Sequence, residues 1–189
     1  MRKTMEKGIY GYGKKKLMRQ CFLCAICLVL SFGAVLIGYL ATGKRTSIWT
    51  IGAVFPVIPA ATFLVNIVAR CKGLPLKKEE YKRFAEVAGG QVTACDMILT
   101  ANQKLVPIQA SVFHEMGIAA YTTSKKLDIK ETERDVNGLL KSVGIYSKIQ
   151  IFTDYEAFLK RVKGLKTPAS PEEQEAFEKK RQDLLVYSM

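Results

Sequence analysis

"QCFLCAICLVLSFGAVLIGYLATG" (residues 20–43) and "TSIWTIGAVFPVIPAATFLVNIVA" (residues 46–69) decide how this chain is built. Each is 24 residues long and free of charge, and only Lys44 and Arg45 stand between them. A helix needs ~20 predominantly apolar residues to cross ~30 Å of hydrocarbon, so the pair predicts a transmembrane hairpin. A cleaved signal peptide fits the first run poorly. Its apolar part is too long for that role, no small-x-small cleavage site follows it, and a second apolar run comes almost at once.

Outside these runs the charge is unevenly placed. The 189-residue chain carries a formal charge of +12. Residues 1–20 hold seven basic side chains, among them Lys14, Lys15, Lys16 and Arg19, against the single acid Glu6. Residues 70–189 hold 20 basic and 16 acidic residues, a net charge of only +4. Lys and Arg are retained on the cytoplasmic side of a membrane, which predicts both termini inside and the loop near residues 42–47 outside. The expected location is the bacterial cytoplasmic membrane, multi-pass, with Lys14–Lys15–Lys16 and Arg19 against anionic lipid headgroups. Basicity of this juxtamembrane kind speaks against nucleic acid as the partner.

The apolar runs contain features that bear on helix packing. Ala34 and Gly38 form a small-xxx-small pair that lets another helix approach closely. Pro56 and Pro59 predict a kink in the second helix, and Asn66 is its one strongly polar side chain. The two helices packing on each other, or two copies of the chain packing together, would both use these residues. "CFLCAIC" (residues 21–27) has C-x-x-C-x-x-C spacing, but a helix spreads those thiols around its surface and cysteine is an ordinary apolar residue in lipid. With Cys71 and Cys95 far away in sequence, neither a disulfide framework nor a metal site is predicted.

The remainder reads as a small cytoplasmic α+β domain. The boundaries expected are a basic N-terminal segment over 1–19, the hairpin over 20–69, a linker over 70–78, the α+β domain over 79–166 and a polar C-terminal helix over 167–189. Within the domain, "KKEEYKRFAEVAGG" (77–90) has helical spacing ended by two glycines. "QVTACDMILTAN", "KLVPIQASVFH" and "GIAAYTTS" are short runs separated by turn signals, predicting a three-stranded antiparallel meander. A helix capped by Asp128, a strand in "SKIQIFT" and a helix opened by a Thr153–Glu156 capping box follow. Ser170, Pro171 and Glu173 open a last helix whose polarity suggests a solvated tail or a partner-binding element.

Three side chains are candidates for chemistry. His114, the only histidine, sits beside Glu115 in "FHEMG", where turn chemistry at Gly117 predicts a solvated turn histidine in place of a base with its orienter. Asp96 lies in an apolar strand, so it must be exposed, paired or functional. Glu86 lies on the preceding helix. The element order over residues 79–153 resembles the restriction-endonuclease-like fold. In that family a helical glutamate, a strand aspartate and a later Glu-x-Lys hold a divalent metal for phosphodiester hydrolysis. The resemblance assigns Glu86 or Glu79 and Asp96 to the first two positions, but Tyr121-Thr122-Thr123 stands where Glu-x-Lys belongs, so it implies a degenerate member without the metal. The overall plan also resembles small bacterial two-span membrane proteins of no assigned activity, some labelled O-linked GlcNAc transferase-like. The helical repeats and large catalytic region of such a transferase have no counterpart in this chain.

No nucleotide-binding glycine loop, nucleophile elbow or zinc-binding H-E-x-x-H occurs, and no cofactor is implied. "YGYGKKK" (10–16) reads as a glycine–aromatic turn at the lipid headgroups. The function expected is a non-catalytic membrane protein whose hairpin anchors a protein-interaction domain, its partner another protein or a second copy. The alternatives are a membrane-tethered enzyme acting on phosphate through Asp96 and Glu86, and a nucleic-acid tether.

Overall fold

The computed structural model describes residues 7–43, 48–125 and 127–188. Arg2, Lys3, Glu6, Lys44, Arg45 and Lys126, which entered the reading of charge and topology, lie outside the described residues. The chain groups into two units, residues 14–71 and the remainder, and the N-terminal segment up to Gly13 belongs with the part that begins at Lys72.

The first unit is a pair of long helices, α1 (Tyr12–Thr42) and α2 (Ile48–Cys71). Both are long and apolar enough to cross a membrane. Their outward side chains are large and apolar: Phe32 is 75% exposed and Phe55 71%. The inward ones are small. Cys24, Ser31 and Gly38 recur every seven residues along α1 as its buried line, with Ala53 and Ala60 buried on α2. A sevenfold repeat keeps one seam of a helix against its neighbour. Across it the Ser31 hydroxyl donates to the Ala53 carbonyl at 3.0 Å, and the Cys24 thiol to the Ala60 carbonyl at 3.6 Å. The small-residue line therefore serves packing between α1 and α2, with Gly38 buried and Ala34 half-buried. Helix α2 runs through both Pro56 and Pro59, and the Asn66 amide is satisfied inside the helix by the Thr62 carbonyl at 3.0 Å.

The second unit holds α3 (Lys78–Val87), β1 (Val92–Ala101), β2 (Lys104–His114), β3 (Gly117–Tyr121), α4 (Ile129–Ser142), β4 (Lys148–Phe152), α5 (Tyr155–Lys163) and α6 (Pro171–Val186). The sheet has the order β1-β2-β3-β4. The first three strands form the antiparallel meander that the alternation predicts, and β4 joins β3 in parallel after the α4 crossover. Asn102 and Gln103 both have positive φ (47° and 62°), the backbone a two-residue hairpin needs.

Helices cover both faces. Phe84 of α3 and Phe158, Leu159 and Val162 of α5 pack on Cys95, Ala110, Val112 and Ala119. On the other face, Val136 and Leu140 of α4 join Phe177, Leu184 and Leu185 of α6 over Met97, Ile108, Phe113 and Ile118. The C-terminal helix is thus part of the core, not the solvated tail its composition suggests. Three apolar side chains at i, i+7 and i+8 are enough to dock it, since each buried Phe or Leu contributes about 1.5–3 kcal/mol.

The caps follow the sequence except at one helix. Asp128 accepts the Glu131 amide at 3.2 Å and Ser170 the Glu173 amide at 3.2 Å. At α5 the cap is Asp154, which accepts the Glu156 amide, and not Thr153 one residue earlier. Ser170→Ala removes the cap of α6 and is expected to cost about 1 kcal/mol, read as a lowered midpoint of chemical denaturation with unchanged slope.

Candidate functional site

β1 is an edge strand, and an unpaired edge invites association with other chains. Here segments around Gly8 and Ser188 cover it. The Cys95 amide donates to the Gly8 carbonyl at 2.8 Å, and Ser188 bridges to Leu99. Lys7 ties the two coverings together, its ammonium donating to the carbonyls of Leu185 at 3.4 Å and Ser188 at 3.1 Å at the end of α6. A cation is favoured at a helix C-terminus, where carbonyls lack amide partners. Gly8 has φ 84°, and an added Cβ would come within 3.1 Å of Leu185, so a side chain is disfavoured there twice over.

Residues 7–13 form a strap anchored further along by Tyr10 and by two glycine amides. The Tyr10 ring stacks on Tyr81 with centroids 3.8 Å apart, and its hydroxyl donates to the Leu76 carbonyl at 2.9 Å. "YGYG" therefore packs on the domain, through Tyr10, Gly11 and Gly13. The Gly11 and Gly13 amides both donate to Oδ2 of Asp96, at 2.7 and 3.3 Å. Those amides stand where α1 opens, and a helix start leaves such donors without intrahelical acceptors. The first turn of α1 supplies no acid of its own; Asp96 provides one from β1.

Asp96 reaches the strap through an unusual backbone. Its φ is 54°, and the alternation of side chains along β1 shifts there. Ala94 faces the α4–α6 side, as do Met97 and Leu99, so one position is skipped between them. The β1–β2 register contains Cys95 opposite Ala110 and Met97 opposite Ile108, without the step between them. Left-handed backbone costs a non-glycine residue about 1–2 kcal/mol, least for Asp and Asn. That conformation is held by what the carboxylate does next door.

Burial raises the pKa of Asp96 more than the two glycine amides lower it. Oδ1 is buried without a hydrogen-bond partner among the described residues. Next to it, burial and the Asp96 charge push the Cys95 thiol up to about 12. A thiol in that state is not a nucleophile at neutral pH. Beside the strap, a cavity of about 330 Å³ opens between Ile9, Tyr10 and Tyr81, the start of β1 and Arg181 of α6.

The other candidates do not join Asp96. Glu86 and Glu79 are exposed on α3, while Asp96 is buried and held by backbone amides. Among the described residues no three His, Cys, Asp or Glu side chains converge as metal ligands would. Tyr121, at the position that Glu-x-Lys would occupy, packs against Tyr155 and Phe158. His114 is not a solvated turn residue. It ends β2, opposite Gly117, and is only 9% exposed. Burial lowers its pKa first, and the charges of Arg161 and Lys180 lower it further. Glu115 is exposed in the turn.

The strap escapes a reading by hydropathy because its contacts join residues about 85 positions apart. Two signals point toward it: an acid inside the apolar strand "ACDMIL", and glycines alternating with aromatics in "GIYGYG". A comparison with protein-family models, curated proteins and solved structures finds no match.

Proposed function

We propose that the protein is a membrane-anchored binding module. α1 and α2 cross the bacterial cytoplasmic membrane as a hairpin, and the α+β domain, on the cytoplasmic side, docks a protein partner. The observation that carries the anchoring is the strap. Residues 7–13 precede the first apolar helix, yet they are hydrogen-bonded into the domain that follows the second. A chain held in this way has the entry of α1 and the exit of α2 on the same side, which requires an even number of crossings. The lysines around the strap favour the cytoplasmic side, with Lys14, Lys15, Lys16 and Arg19 meeting anionic headgroups.

Two observations favour a binding role for the domain. Asp96, the acid on which any metal-dependent chemistry would rest, is engaged by Gly11 and Gly13. Met116 and Tyr146, beside the paired ends of β3 and β4, are 72% and 89% exposed, apolar surface of the kind that marks protein contacts. The degenerate nuclease-like resemblance is compatible with such a module.

Topology is tested in the full-length chain with an alkaline phosphatase inserted after Arg45 and a fluorescent protein at the C-terminus. The expected result is an active phosphatase together with a fluorescent C-terminus. An inactive phosphatase would place the loop inside and remove the hairpin. The binding role is tested separately, by crosslinking through a photoreactive side chain at Tyr146. A crosslinked species absent from a control bearing the same group at exposed Glu172 is expected, and equal labelling at both positions counts against it.

A further inference from the structure

The outer edge of β1 is closed along most of its length and open near its start. The Cys95 amide faces away from β2, since it donates to the Gly8 carbonyl at 2.8 Å. The two strands stay in step from Val92–Phe113 to Cys95–Ala110. In an antiparallel pair every second residue turns both its N–H and its C=O away from the partner strand. Thr93, two positions before Cys95, therefore presents an amide and a carbonyl on the same outer edge. Gly8 covers that edge at Cys95, and the Ser188 bridge covers it at Leu99. At Thr93 no backbone partner stands on that side among the described residues.

An open rung of this kind is a template for another strand. Here it borders the cavity of about 330 Å³, which Val92 and Thr93 line. That volume is at the lower end of the ~300–1,000 Å³ usual for ligand sites, room for a short length of chain and not for a folded domain. Every wall belongs to the same unit. Ile9 and the stacked rings of Tyr10 and Tyr81 supply apolar surface, and α6 supplies Gln174, Glu178 and Arg181. Arg181 is paired with Glu178 at 2.8 Å, so the charge there is balanced and a neutral ligand is favoured over an ion. The rung is held in position by Gln91, whose amide donates to the Val162 and Leu165 carbonyls at 3.3 and 3.1 Å.

We propose that this cavity receives a short extended peptide from a partner protein, which adds to β1 at Thr93. A peptide backbone is neutral and offers the carbonyl and the N–H that the Thr93 amide and carbonyl require; its side chains meet Ile9, Tyr10 and Tyr81. Strand addition of this type takes its affinity from the main chain and its specificity from neighbouring pockets. The site lies at the β1 edge, away from Met116 and Tyr146 beside β3 and β4, so crosslinking at Tyr146 and binding at Thr93 succeed or fail separately.

The test uses the full-length chain in neutral detergent with threonine labelled on its amide nitrogen, the Thr93 signal being assigned by its loss in Thr93→Ser. The probe is a pool of randomised tetrapeptides, acetylated and amidated so that no terminal charge remains. At saturating pool, exchange of the Thr93 amide hydrogen is expected to slow about tenfold or more, the effect of one main-chain hydrogen bond. A pool methylated on every peptide nitrogen should not slow it. Binding of the dye-tagged pool is followed by fluorescence anisotropy. Thr93→Pro removes the outward N–H without touching the β2 ladder, as proline does on an edge strand, and is expected to weaken binding about tenfold. Gln174→Trp fills the cavity from α6 and should abolish binding, whether or not the proline variant folds, while Glu175→Trp, one residue along, leaves it unchanged. A Thr93 amide protected before peptide is added, no added protection at saturating pool, equal protection by the methylated pool, or binding that persists in Gln174→Trp each overturns the site.

Discussion

Gly117→Ala is expected to prevent the α+β domain from reaching its native fold. An added Cβ at this position would lie 2.1 Å from the Lys148 carbonyl oxygen and 3.1 Å from its carbon, both backbone atoms of the neighbouring strand. No side-chain rotation relieves such a clash; β3 and β4 must part, or the turn after His114 must be rebuilt. The backbone adds its own penalty, because φ is 151°, a conformation that side chains rarely adopt. The parallel β3–β4 pair runs from Gly117–Lys148 to Tyr121–Phe152, so the displacement begins at its first rung. Losses above 4–5 kcal/mol are exceptional for one substitution, and about that much is expected here. Purified in detergent, the variant should lack the cooperative unfolding transition of the parent, or fail to accumulate. Gly138→Ala is the control. It lies in α4 with open space around its Cβ position, and it should stabilise the domain by up to about 1 kcal/mol. A Gly117→Ala protein as stable as the parent would show that β3 and β4 do not approach as described.

The legibility of this architecture in sequence follows the range of the interactions involved. Hydropathy is local, so the two apolar helices and most element boundaries are visible in residues 20–69 and in the alternation of 92–121. Capping is local too, which is why Asp128 and Ser170 could be named. The cap of α5 falls one residue later than the capping-box pattern predicts, because Thr153 and Asp154 are adjacent and both can accept an amide. What sequence hid is long-range. Phe177, Leu184 and Leu185 make a narrow stripe on an otherwise charged helix, and only the sheet beneath reveals it as core. His114 looks solvated beside Glu-Met-Gly, yet it is buried at the end of β2. Asp96 was legible as anomalous, since an acid in an apolar strand needs a reason. The reason, two amides from residues 11 and 13, lies at the far end of the chain.

Releasing Asp96 should release the strap. In Asp96→Ala the Gly11 and Gly13 amides lose their acceptor, and alanine must keep a left-handed backbone. Together these are expected to cost about 2–4 kcal/mol. Hydrogen exchange in the peptide covering residues 7–13 should accelerate far more than exchange in α4, because the strap loses its two amide contacts to β1 while Lys7, the Gly8 carbonyl and Tyr10 still tether it. Asp96→Gly separates the two contributions, since it removes the carboxylate but tolerates the backbone; exchange as slow as the parent's in that variant would mean that the amide contacts hold nothing. Asp96→Asn keeps both an acceptor oxygen and tolerance of positive φ, so the strap should stay docked. Its difference from the parent is electrostatic and has a definite sign. Because the folded-state pKa of Asp96 is raised, the folded protein binds its proton more tightly than the unfolded chain, where the group titrates near ~3.9. The resulting stability is fully present below that value and is lost as pH rises through the folded-state pKa. The parent should therefore fall in stability relative to Asp96→Asn as pH rises from ~4 toward neutrality, and then run parallel to it. A parent that instead gains on Asp96→Asn over that range would mean that the two glycine amides outweigh burial, and that the ionised carboxylate is what the strap was built to hold.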